Sequence, residues 1–104
     1  MICAEFFTEP DGELVGFRIS GHNGDAGSDI LCAAVSSSAY MAANTVTDVI
    51  KADARITVED GYMLVKVSPQ EAKSCRTIFA GFKLHMQGLE EQYPQNIKVS
   101  YTEV

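Results

Sequence analysis

The order of periodicities along the chain constrains its fold more than any other feature: two alternating runs precede a helical stretch, the pattern repeats, and one alternating run closes it. In residues 1–7, Ile2, Ala4 and Phe6 share one side, and Pro10-Asp11-Gly12 supplies a reversal. Residues 13–20 set Val15, Phe17 and Ile19 against Leu14, Gly16 and Arg18, which suits an antiparallel partner. From about residue 29 to 51 the spacing is helical, with Leu31, Val35, Ala42, Val46 and Val49 on one stripe. Asp60-Gly61 then joins two β-rich runs, 55–59 and 62–67, the strongest short hairpin signal in the chain. Ser68-Pro69-Gln70-Glu71 combines an N-cap serine, a proline at the first helical position and a glutamate that closes a capping box. Ala72, Cys75, Phe79, Phe82, Met86 and Leu89 form the stripe of the helix that follows, and Tyr93-Pro94 ends it. The final run alternates Ile97, Val99 and Tyr101 with Lys98, Ser100 and Thr102.

This order, ββαββαβ, predicts an α+β fold with both helices on one face of a mainly antiparallel five-stranded sheet. The other face is then solvated or covered, and a homodimer is one cover. With 104 residues the chain is expected to be one domain, 1–104. No apolar run approaches the roughly 20 residues that span a bilayer, and no basic segment precedes an apolar one at the start, so we expect no membrane and a cytoplasmic location. Three cysteines without CxxC spacing argue against a disulfide framework or a zinc site. The net charge of −6 disfavours direct nucleic-acid binding and mildly attracts a basic partner.

Chemistry concentrates in residues 21–36. His22 follows the second strand, Gly24 and Gly27 lie in a connection with no bulky apolar anchor, and Cys32 falls in or just past the first turn of the helix. Ser28 or Asp29 can cap that helix. Unpaired N–H groups and the positive end of the dipole favour a thiolate there, and His22 is the candidate base. A buried free cysteine is ordinarily a small hydrophobe, but this position supplies what a thiol nucleophile needs. The connection through Gly24 and Gly27 is expected to be a mobile, substrate-gating loop. Ser36 lies one turn beyond Cys32 on the same helical face, as a packing residue or a weak support to the thiol. Asp29 reads as a first-turn acid or as a group orienting His22. His22, Asp29 and Cys32 lack the fourth ligand and paired spacing of structural zinc, so no metal and no cofactor is expected. Cys3 and Cys75 read as core residues, and His85 as a surface one.

Gly21-His22 followed by Gly27-Ser28-Asp29-Ile30-Leu31-Cys32-Ala33-Ala34-Val35-Ser36 resembles the signature of the ribosomal-processing cysteine proteases, and the similarity runs over essentially the whole chain. The resemblance implies a cysteine endopeptidase with Cys32 as nucleophile and His22 as general base, and it draws attention to Asp29 and Ser36. It implies as substrate a short N-terminal extension of large-subunit ribosomal protein twenty-seven, cut after a phenylalanine. The segment between His22 and Cys32 is somewhat shorter than the family's, which bears on loop closure and substrate fit. Two other classes stand beside this reading: a non-catalytic ribosome-associated binding module, and a thiol-dependent hydrolase or redox protein acting on another substrate.

Overall fold

The computed structural model describes residues 1–21 and 29–104. Its elements are β1 (Ile2–Thr8), β2 (Leu14–Ser20), α1 (Asp29–Asn44), a π-helical turn (Thr45–Val49), β3 (Ala54–Glu59), β4 (Tyr62–Val67), α2 (Pro69–Gln92) and β5 (Ile97–Glu103). The five strands form one sheet in the order β3-β4-β2-β1-β5. Every pairing is antiparallel except β1 with β5, which runs parallel because α2 carries the chain across the sheet before β5 begins. The expected ββαββαβ order and the mixed, largely antiparallel sheet are both present.

Helix α2 forms where the sequence places it, and its buried residues are the six of the predicted stripe. They meet the inward residues of the central strands: the Phe17 and Phe82 rings lie 4.5 Å apart, Phe6 and Phe82 5.8 Å, and Phe17 and Phe79 6.1 Å. Such tilted and edge-on contacts suit the quadrupole of the rings. Leu31, Val35, Ala39, Ala42 and Val46 bring α1 and the π turn onto the same core, their small side chains letting the helix sit close.

Four local expectations are corrected. Val15 does not join Phe17 and Ile19: the β1–β2 register shifts between Phe7 and Thr8, so Leu14 turns into the main core and Val15 packs with Phe7 and Ala72. Val49 is 74% exposed, since the Ile50 N–H bonds five residues back to Thr45 and the wider π turn rotates Val49 off the stripe. Ser68 is the N-cap of α2, but its side chain makes no capping hydrogen bond, and its carbonyl accepts from the Glu71 N–H at 2.9 Å. Cys3 is exposed, because Ile2 and Ala4 take the inward positions of β1.

On the face away from the helices, Arg18 donates to Glu5, which also accepts from Thr102. The Arg18 and Lys66 head groups lie 5.8 and 5.6 Å from the centre of the Phe7 ring. This face is therefore tied by its own charges. Glu5, first, and then Tyr62 raise the Arg18 guanidinium above its ordinary value against a lowering by burial. No described helix is long and apolar enough to cross a membrane.

Candidate active site

Cys32 is the fourth residue of α1, so the thiol stands at the end of the first turn, as its place in the sequence predicts. It is half-buried and packs at the border of the core. Beside it opens a cleft of about 510 Å³. One wall is α1, through Cys32, Val35, Ser36, Ala39 and Tyr40, and the opposite wall is the β3–β4 hairpin from Val58 to Met63. Ile2, Ile19 and Gly21 also line it, at the end of the sheet.

The topology explains this meeting. β4 lies beside β2, pairing Ser20 with Tyr62, and the Gly21 N–H donates to the Gly61 carbonyl at 3.1 Å. The hairpin tip is thereby fixed next to the point where β2 ends. Gly21 has φ +93°, and a Cβ there would stand 2.2 Å from the Met1 carbonyl oxygen, so only glycine fits without displacing the backbone. Gly61, at φ 70°, makes the turn itself.

Cys32 and Ser36 therefore share the cleft, one helical turn apart, as predicted. Asp29 is the first residue of α1. The candidate base His22, the loop glycines Gly24 and Gly27 and the capping candidate Ser28 lie outside the described residues. Among the described residues no group of three or more histidine, cysteine or acidic side chains could hold a metal ion. Cys75 is buried, and burial, aided by the Glu71 charge, pushes its thiol above the ordinary value, which suits a packing role. His85 is exposed, as expected.

The hairpin wall is what sequence reasoning missed. Asp60-Gly61 is legible as a turn, but nothing in the spacing ties residues 58–63 to Cys32; that follows only from the pairing of β2 with β4. The described cleft offers apolar surface at Ile2, Ile19, Val35 and Met63, and carboxylates at Glu59 and Asp60. It can hold an extended chain segment against a thiol.

The geometry thus brings a half-buried thiol at a helix start onto a cleft of about 510 Å³. Comparison with known proteins gives the class. Residues 1–98 match the family model described as cysteine protease Prp. The ribosomal processing cysteine protease Prp of Staphylococcus aureus (strain Mu50 / ATCC 700699) is 23% identical over 105 residues, spanning 97% of this chain and 99% of that protein. The crystal structure of the S. aureus protease with a covalently linked product peptide has a TM-score of 0.86 at 23% identity, covering 98% of this chain and 100% of the other. SMU.848 from Streptococcus mutans gives 0.87 at 26% identity, covering 100% and 99%. The chain belongs to the cysteine protease Prp family.

Proposed function

We propose that this chain is a cytoplasmic, homodimeric endopeptidase that removes a short N-terminal extension from large-subunit ribosomal protein twenty-seven, with Cys32 and His22 as its catalytic pair. The observation that carries the reading is Cys32 at the start of α1, on the wall of a cleft large enough for a peptide, in a chain of this protease family. The related S. aureus structure with a covalently linked product peptide supports a covalent route.

In that route the Cys32 thiolate attacks the scissile carbonyl and forms a tetrahedral oxyanion. First-turn N–H groups of α1 stabilise the oxyanion. Collapse breaks the C–N bond, His22 protonates the departing amine, and a thioester remains on Cys32. Water, deprotonated by His22, then hydrolyses the thioester and restores the thiol. Asp29 and Ser36 support the pair without taking part in bond changes, and the loop through Gly24 and Gly27 admits the peptide. The apolar cleft residues receive its apolar side chain, and an acidic enzyme attracts a basic ribosomal substrate.

The test mixes the purified chain with the extended ribosomal protein and follows the mass of the released N-terminal peptide. Release of one peptide ending in phenylalanine is expected. Cleavage of other peptides but not of this protein would discard the substrate and spare the thiol mechanism.

A further inference from the structure

The net charge of −6, from eight lysines and arginines against fourteen acids, conceals how the charges are placed. Strand parity sends Arg18, Arg55, Lys66 and Lys98 to the sheet face away from the helices, and of the described strand acids only Glu5 and Glu59 accompany them. Three of the four cations crowd together. Arg55 lies directly opposite Lys66 across β3 and β4, a like-charge pairing that costs stability. Lys66 and Arg18, from adjacent strands, lie 5.6 and 5.8 Å from the centre of the same Phe7 ring. Glu5 answers Arg18, but among the described residues no carboxylate forms an ion pair with Arg55, Lys66 or Lys98. Lys98 carries the positive charge to the far edge strand, about 19 Å from Arg55 at an interstrand spacing of about 4.8 Å. Folding alone gives no reason to gather these charges and leave them unanswered.

We propose that this open sheet face binds single-stranded RNA. The face itself selects the occupant. A partner protein, even an acidic one, needs an apolar centre to its interface, and no strand residue on this face is an exposed large apolar side chain: Leu64 is half-buried and Phe7 is covered. Interfaces with nucleic acid are more polar and much more positive than those between proteins. The cations meet phosphates, the hydroxyls of Ser20, Thr57 and Ser100 lie beside them for sugar and phosphate contacts, and the half-buried Tyr62 ring offers a base a stacking surface. A flat sheet without a projecting helix has nothing to enter a duplex groove, which favours a single strand. The cleft beside Cys32 opens on the helix side of the sheet, so bound RNA leaves it accessible. The positive face stands on its own geometry, whereas the choice of RNA over DNA rests on the ribosomal substrate of the preceding reading.

The experiment titrates the full chain into a fluorescein-labelled 15-nucleotide single-stranded RNA and follows anisotropy at several salt concentrations, with circular dichroism as the check on folding. Four phosphate contacts predict a slope of log affinity on log salt of about −3, so binding should weaken about 50-fold between 50 and 200 mM salt. Arg55→Gln with Lys66→Gln should bind more weakly and roughly halve that slope, and Lys98→Gln alone should lower it by about 0.7. Lys73→Gln, on α2, should bind as the wild type does. Binding is read without any cleavage, so its outcome is independent of whether the chain cuts the extended ribosomal protein. A wild type that binds no RNA at 20 mM salt, or that binds polyglutamate instead, would overturn the proposal. Equal affinity for single-stranded DNA of the same sequence would overturn the choice of RNA, and a loss in Lys73→Gln equal to that in the double variant would overturn the location.

Discussion

The three thiols occupy three environments: Cys75 buried in the core, Cys32 half-buried beside the cleft and Cys3 exposed on the outer face of β1. Alkylation should distinguish them. With the reagent limiting, Cys32, at the start of α1 beside the cleft, should label first, Cys3 more slowly, and the buried Cys75 only on unfolding. Peptide mapping that found Cys3 ahead of Cys32 would count against an activated Cys32. Cys75 also predicts a pH effect. Burial, and then Glu71, raises its thiol above the unfolded value of about 8.5. Its contribution is therefore complete below about pH 8.5 and is lost as pH rises through the folded value. Thermal unfolding followed from neutral to alkaline pH should show a steeper decline for the wild type than for Cys75→Ala, even though the variant starts lower through lost packing. Parallel declines would contradict the assignment. The burial of Cys75 was legible in its 3.6-residue spacing with Ala72 and Phe79. Cys3 faces outward because the parity that Ile2 and Ala4 impose on β1 outweighs a cysteine's apolar character.

At the scale of elements, α2 was legible because Pro69 starts it, Tyr93 ends it and every buried residue recurs at helical spacing. Its centre is Phe82, 2% exposed between Phe6 and Phe17, and Phe82→Ala should cost about 3–5 kcal/mol in denaturant unfolding. A loss below about 1 kcal/mol would mean that the core is not organised on this residue. The π turn was not legible, since one added residue per turn leaves no local signature, and it is what exposes Val49. Nor was the join between β2 and the hairpin, which depends on Gly21 bonding to Gly61 across some forty positions. Gly21→Ala places a Cβ against the Met1 carbonyl and strains a positive φ, so it should destabilise the fold by about 1–3 kcal/mol. An unchanged unfolding midpoint would contradict the close approach described there.

For the molecule as a whole, the class and order of elements could be read from alternation and helical period, but the neighbours in the sheet could not. The positions of β4 beside β2 and of β5 parallel to β1 are long-range pairings that no run of residues encodes by itself. The candidate site divides in the same way: Cys32 and Ser36 were legible as one helical face, whereas the opposite wall from Val58 to Met63 had to await the sheet. These scales meet in the proposal that the thiol at the start of α1 works with His22 to cut a peptide held in that cleft. The most direct test compares the cleavage rate of the extended ribosomal protein by the wild type, Cys32→Ala, Cys32→Ser and His22→Ala, each confirmed as folded by circular dichroism. Cys32→Ala should be inactive and Cys32→Ser nearly so, because a single imidazole activates an alcohol poorly. His22→Ala should lose about 10²–10⁴-fold, the usual contribution of a positioned acid–base group. Cleavage by Cys32→Ala at the wild-type rate would contradict the account.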